Sequence, residues 1–201
     1  MIVLKNFLNN NYPIILTLLL FLICAAAGEQ ATLVLRYDRN AILDGDLYRL
    51  LSAHFVHLST VHALMNSVAA VIGWFLFRSS MPCLQWLFSI MGSAVVISLL
   101  LLTVKDLAWY VGFSGVVHAL MLAGLILDKK LELFLKVLII GGLLSKVAYE
   151  QIHGVADGTF ELIGGDVVLE GHLFGLIGGL LMTVIVVAWD RLTGVVTNLP
   201  D

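Results

Sequence analysis

Two polar side chains stand at the starts of two apolar runs of this sequence. Ser114 lies between glycines in the segment 112–115 (Gly-Phe-Ser-Gly), and His172 lies in the segment 171–175 (Gly-His-Leu-Phe-Gly). Hydrocarbon solvates a hydroxyl or an imidazole poorly, so polar groups at membrane depth predict a functional site. Serine becomes an effective nucleophile when a base within hydrogen-bond reach takes its proton. The pair therefore predicts hydrolysis, with Ser114 as nucleophile and His172 as general base.

The surrounding residues favour stabilisation of a negatively charged intermediate. The glycines flanking Ser114, among them Gly112, lack bulk, so backbone amides can approach a developing oxyanion. His62 and Asn66 are one helical turn apart and share a face. Such donors beside a serine can stabilise the oxyanion of a tetrahedral intermediate. No Asp or Glu occurs in the apolar part of the two segments that carry Ser114 and His172. The sequence therefore predicts a two-residue dyad.

Other residues determine how the serine and the histidine meet. His172, Gly175 and Gly179 follow a one-face helical spacing, and small residues allow close helix packing. His118 lies one turn after Ser114 on the same face. Two roles stay open for His118: an alternative base, or a ring packed against His172.

A metal site is a competing interpretation of the histidines at positions 54, 57 and 62. Neither a His-Glu-x-x-His helix nor a carboxylate third ligand accompanies them. We therefore expect neither a metal nor another cofactor.

Composition defines the protein class. The chain has 201 residues, of which 60% are hydrophobic and only 12% charged, and its mean hydropathy is +1.02. Several stretches approach the roughly 20 apolar residues that cross a bilayer. The net charge of −3 and the lack of a basic block argue against a nucleic-acid partner. The sequence predicts a polytopic membrane protein.

We expect one all-α membrane domain over residues 1–201, with six spans. The expected spans are approximately residues 12–28, 60–77, 83–104, 114–127, 131–149 and 172–189. The fourth is short for a full crossing at about 1.5 Å per residue. Because irregular backbone is not tolerated in lipid, this helix must begin in a cavity or against protein, which makes Ser114 accessible to water. The long first loop, residues 29–59, includes an amphipathic stretch at 47–51 that predicts an interfacial helix.

The short loops predict the orientation, because their positive charges stay inside. One side carries Lys5, Arg78, Lys129, Lys130 and Arg191. The opposite side carries Arg36, Arg39, Arg49, Lys105 and Lys146, mostly in long or acidic segments. We therefore expect both termini inside and the site in the outer leaflet.

Together these motifs resemble the rhomboid family of intramembrane serine proteases, over about residues 12–190. Tyr48-Arg49 is similar to the family's Trp-Arg motif, with tyrosine replacing tryptophan. The other matches are His-x4-His-x3-Asn at His57, His62 and Asn66, Gly-x-Ser-Gly at 112–115, and His-x2-Gly-x3-Gly at His172, Gly175 and Gly179.

The resemblance implies a six-helix rhomboid-like bundle with Ser114 as nucleophile and His172 as base. It also implies an oxyanion hole formed by His62, Asn66 and the Ser114 amide. His118 replaces the usual tyrosine, and Gly-x-Ser-Gly-x-x-His resembles the rhombosortase branch. That branch implies a bacterial cytoplasmic membrane and an active site open to the periplasmic side. The implied partners are the lipid bilayer and membrane-anchored substrates with a C-terminal Gly-Gly motif, an apolar helix and a basic tail.

Three alternatives remain at this stage. One is a rhomboid protease with other substrates. Another is a non-catalytic rhomboid-like protein that binds membrane helices, although such a protein would be expected to lack the serine or the histidine. The third is a small transporter, which predicts polar residues spread across the midplane rather than clustered toward one side.

Overall fold

The computed structural model describes residues 2–104 and 106–193, and almost all of its regular structure is helical. Met1, Lys105 and residues 194–201 of the expected domain lie outside the described residues, as does the side chain of Lys5. The long helices are α1 (Ile2–Leu35), α4 (Thr60–Phe77), α5 (Cys83–Leu101), α6 (Ser114–Leu127), α7 (Leu133–His153) and α9 (Leu169–Thr193). The shorter ones are α2 (Arg39–Leu43), α3 (Arg49–Ser52), a 3-10 turn (Ala53–Phe55) and α8 (Thr159–Ile163).

Within the described residues, four helices are long and apolar enough to cross a membrane: Asn6–Leu35, Thr60–Phe77, Cys83–Leu101 and Leu169–Leu192. Helix α6 is apolar but has only 14 residues. Helix α7 has 21 residues but carries Lys136, Lys146 and Glu150, which lower its hydropathy. Many large apolar side chains point outward, among them Leu133 at 73% exposure and Phe134 at 70%. The chain is an integral membrane protein.

Several expected bounds differ from the observed ones. Helix α1 begins at Ile2, before the expected start at residue 12, but the expected end at residue 28 coincides with a break: Gly28 has non-helical angles (φ 65°, ψ −149°), and a second helical stretch continues to Leu35. The third ends at Leu101, the fifth runs from Leu133 to His153, and the last begins at Leu169. The expected bounds of α4 and α6 coincide with the observed ones. The first loop is correspondingly shorter, and its short helix α3 covers Arg49–Ser52 rather than 47–51.

The first loop follows α1, and it contacts both the end of α1 and the segment that precedes Ser114. The Arg49 guanidinium donates hydrogen bonds to the carbonyls of Arg36 (2.9 Å) and Leu33 (3.2 Å), which holds α3 beside α1. Strand β1 (Tyr37–Asp38) then pairs antiparallel with β2 (Trp109–Tyr110). Strand β2 lies four residues before Ser114, so this small sheet fixes the approach to the serine.

Candidate active site

The backbone before Ser114 is held on both sides of one glycine. Gly112 has φ +120°, a conformation that favours glycine. Its N–H donates to the Ala53 carbonyl at 3.1 Å, and its carbonyl accepts from the Tyr110 hydroxyl at 2.7 Å. A Cβ here would lie 2.9 Å from Cε1 of His62. Glycine is therefore required both by conformation and by the close histidine, and the chain turns into α6 at Ser114.

Helix α9 approaches α6 through glycines that contact backbone atoms. The glycines of α9 on this side are Gly171, Gly175 and Gly179. A Cβ on Gly179 would lie 2.5 Å from the Ala119 carbonyl oxygen, and one on Gly175 would overlap the Gly115 carbonyl oxygen. In return, a Cβ on Gly115 would lie 2.5 Å from the Gly171 carbonyl oxygen. Small residues thus allow the two helix backbones to touch.

This packing brings Ser114 and His172 into direct contact. His172 Nε2 lies 2.9 Å from Ser114 Oγ, which is hydrogen-bond distance. His172 is only 6% exposed, and both residues line a cavity of about 350 Å³ between α4, α6, α7 and α8. The arrangement can transfer a proton from the hydroxyl to the imidazole.

His62 and Asn66 line the same cavity. Ser59 caps α4 and its Oγ accepts from the His62 amide at 3.1 Å, which sets the start of this helix. Asn66 is 5% exposed. Its Nδ2 has no hydrogen-bond partner in the part of the chain that the structure describes. A buried, unpaired amide donor is costly, and among the described residues this amide lacks a partner beside the cavity that Asn66 helps to line.

Sequence reasoning missed two charged residues that contact this site. Glu150 Oε2 of α7 lies 2.9 Å from His172 Nδ1. Lys146, one turn earlier on α7, places Nζ 2.9 Å from the same carboxylate oxygen. The predicted pair of Ser114 and His172 is therefore not isolated in the structure, because α7 brings a carboxylate to the histidine. The signal in the sequence is a Lys-x3-Glu pair within an apolar helix.

The ring of His118 packs against one face of the His172 ring. Its ring stacks on His172 with centroids 4.3 Å apart and an interplanar angle of 23°. Its Nδ1 is 2.8 Å from the Ser114 carbonyl oxygen, within one turn of α6. Its other nitrogen, Nε2, is 2.9 Å from Lys146 Nζ.

The histidines of the competing metal interpretation have other partners. His54 Nε2 bonds Ser98 Oγ at 3.0 Å, and burial lowers the pKa of His54 to about 4. His57 packs edge-on against Phe21 and His62. Burial, together with the His62 ring, lowers the pKa of His57 to about 3. Both rings are therefore neutral at physiological pH.

A different set of potential metal ligands occurs among the described residues. Ligand atoms of His118, Glu150 and His172 all lie within 4.8 Å of one another. The Lys146 ammonium already contacts each of them, at 2.9 Å, 2.9 Å and 3.4 Å respectively. The cation beside these three potential ligands is thus the Lys146 ammonium, and the four side chains form a hydrogen-bonded network in this structure.

The fold and the site define a membrane-embedded helical protein with a serine–histidine contact in a cavity between its helices. The family model of the rhomboid domain matches residues 44–189 of this chain. The chain belongs to the rhomboid family, whose members are generally intramembrane serine proteases. No curated protein matches the chain.

Proposed function

We propose that this chain is an intramembrane serine endopeptidase that uses Ser114 and His172. The observation that carries the proposal is the 2.9 Å contact between Ser114 Oγ and His172 Nε2 inside a cavity at the start of α6. Membership of the rhomboid family supports the same reaction class.

The reaction proceeds through an acyl-enzyme. Ser114 Oγ attacks the scissile carbonyl carbon while His172 Nε2 takes its proton. The oxyanion accepts hydrogen bonds from His62, Asn66 and the Ser114 amide, with Gly112 giving room for its approach. The C–N bond then breaks, and His172 protonates the leaving amine. Water, deprotonated by His172, hydrolyses the ester and restores Ser114.

The proposed membrane arrangement has six spans in one domain. The four long apolar helices supply four of them, the short α6 supplies the fourth in chain order, and the charged α7 supplies the fifth. Positive charges in short loops favour both termini inside a bacterial cytoplasmic membrane. The site then opens toward the periplasmic side, from which water enters.

The proposed substrates are membrane-anchored proteins with a C-terminal Gly-Gly motif, an apolar helix and a basic tail. His118, four residues after the serine, supports this assignment, because the pattern Gly-x-Ser-Gly-x-x-His resembles the rhombosortase branch.

The test is cleavage of a reporter with such a tail in proteoliposomes. Wild-type protein and the control Ser67→Ala, whose hydroxyl only bonds its own helix at the Ala63 carbonyl, should cleave it. Ser114→Ala and His172→Ala should reduce the rate at least about 10³-fold, as for other catalytic serines and histidines. Wild-type cleavage by Ser114→Ala contradicts the protease proposal. Equal cleavage of a reporter whose Gly-Gly is changed to Val-Val removes only the rhombosortase assignment.

A further inference from the structure

A continuous chain of hydrogen bonds leaves the Ser114 carbonyl and returns to the Ser114 hydroxyl. It passes through His118, Lys146, Glu150 and His172, with successive contacts of 2.8, 2.9, 2.9, 2.9 and 2.9 Å. The middle of this chain of hydrogen bonds lies on two helices: α6 carries His118, and α7 carries Lys146 and Glu150 at an i, i+4 spacing.

The chemistry of these groups fixes the position of each proton. A carbonyl only accepts, so the His118 nitrogen facing the Ser114 carbonyl, Nδ1, carries a proton. Its Nε2 then accepts from the Lys146 ammonium, which only donates. The Glu150 carboxylate, which only accepts, takes hydrogen bonds from Lys146 and from His172 Nδ1. His172 therefore presents an unprotonated Nε2 to the Ser114 hydroxyl, which is the tautomer a general base needs.

The charges also suit the reaction. Lys146 and Glu150 neutralise each other before the reaction. When His172 takes the serine proton, the imidazolium forms 2.9 Å from the Glu150 carboxylate. Charged side chains within an apolar helix are expensive and usually functional. The Glu150 side chain is 12% exposed and its partner Lys146 is 45% exposed, so the carboxylate that faces His172 is the more buried group.

We infer that Glu150 is a positioning residue for His172, and that Lys146 and His118 hold Glu150 in place and complete the chain. This inference rests on the proposed serine-protease function and adds a third member to the dyad. Glu150 orients the ring and stabilises its protonated form, while Lys146 acts through Glu150. In serine proteases of other folds, replacing the orienting carboxylate lowers kcat by about 10⁴-fold.

The experiment measures kcat and KM for the tail reporter with variants of α7. We expect Glu150→Leu to lower kcat about 10²-fold or more with KM within about threefold, because only ring orientation and charge are lost. Glu150→Gln should also lower kcat, because its amide carries no charge to stabilise the imidazolium and its NH2 group can donate to His172 Nδ1, which imposes the wrong tautomer. Lys146→Met should cost about tenfold. The matched controls Glu132→Leu and Glu132→Gln, at the other end of α7, should cleave like wild type.

The double variant Lys146→Met/Glu150→Leu removes both charges of this pair, so neither is left without its partner, and it decides the question if a single variant unfolds. Members of one chain are not additive, so its kcat should match that of Glu150→Leu rather than fall about tenfold further. A double variant within about threefold of wild type overturns the inference, as does a Glu150→Gln variant whose kcat equals that of wild type. Ser114→Ala is assayed in parallel to separate these outcomes. Full cleavage by this variant would contradict the proposed serine-protease function.

Discussion

The α6–α9 contact and the attachment of α7 are built in opposite ways. At the first, glycines bring backbone against backbone, and added Cβ atoms on Gly175 or Gly179 would meet carbonyl oxygens. At the second, only Val147 is buried among the residues of α7, all of which the structure describes. Helix α7 instead makes polar contacts: Lys146 and Glu150 reach the site, and Lys136 reaches the Asp128 carbonyl.

The difference separates two tasks. Ser114 and His172, the proposed nucleophile and base, lie on the tightly packed pair of helices, where a small displacement separates their contacting atoms. The groups proposed to orient His172 lie on the loosely packed helix. We therefore expect changes in the α6–α9 contact to destabilise the fold and the site together, whereas changes at the polar attachments of α7 should destabilise the fold less.

The largest effect is expected for Gly175→Ala. The new methyl group overlaps the Gly115 carbonyl, a backbone atom that cannot move without separating α6 from α9. Overpacking of this kind costs about 1–3 kcal/mol, and a displacement of about 1 Å at a catalytic group costs about 10²-fold in rate. Thermal unfolding in detergent and reporter cleavage measure the two effects.

Gly141→Ala is the matched control for that substitution. Gly141 lies on α7, and a Cβ there meets nothing within 4 Å. Its stability should change by no more than about 1 kcal/mol, the difference in helix propensity between the two residues, and cleavage should be unchanged. Equal losses of stability and cleavage in Gly175→Ala and Gly141→Ala would contradict the contrast between the close α6–α9 packing and the loosely packed α7.

A smaller effect is expected at Asp128, in the turn from α6 to α7. Burial acts to raise the pKa of Asp128, but hydrogen bonds from Ser80, Leu131 and Lys130 and the Lys136 charge outweigh it and lower the pKa below its ordinary value of 3.8. A carboxylate with a lowered pKa stabilises the fold above its ordinary pKa, and this contribution is lost as the pH falls below it.

Asp128→Asn should therefore lower stability by about 1 kcal/mol at neutral pH, as for the loss of a capping carboxylate. The difference from wild type should shrink below about pH 4, where the wild-type carboxyl takes up a proton. Unfolding temperatures across this pH range measure it, with Asp157→Asn, in the exposed α7–α8 loop, as control. A difference that stays constant down to pH 2 would show that charge on Asp128 does not contribute.

The sequence allowed α4 and α6 to be predicted because their ends carry local signals. Ser59 caps α4 through its side chain, and the glycines around Ser114 mark the turn into α6. The expected end of the first span at residue 28 coincides with a break in α1, where Gly28 has non-helical backbone angles (φ 65°, ψ −149°). The second helical stretch, which continues to Leu35, was not predicted.

Glu150 could not be found by the same reasoning. The expected fifth span ends at residue 149, one residue before Glu150, and the two segments that carry Ser114 and His172 contain no carboxylate in their apolar part. The contact between Glu150 and His172 depends on how α7 packs against α9, and helical periodicity in the sequence does not determine that packing. The contact between Ser114 and His172 could be predicted from the sequence, because a motif marks the matching end of each helix that carries these residues.

The most direct test of the central claim is covalent labelling of the protein with a fluorophosphonate, followed by mass spectrometry. This reagent reacts with a serine whose proton is taken by a neighbouring base. The account predicts one adduct per chain, on Ser114, in wild-type protein, and none in Ser114→Ala or His172→Ala. Unchanged labelling of Ser114 in His172→Ala, or an adduct on another serine, would contradict the assignment of Ser114 and His172 as nucleophile and base.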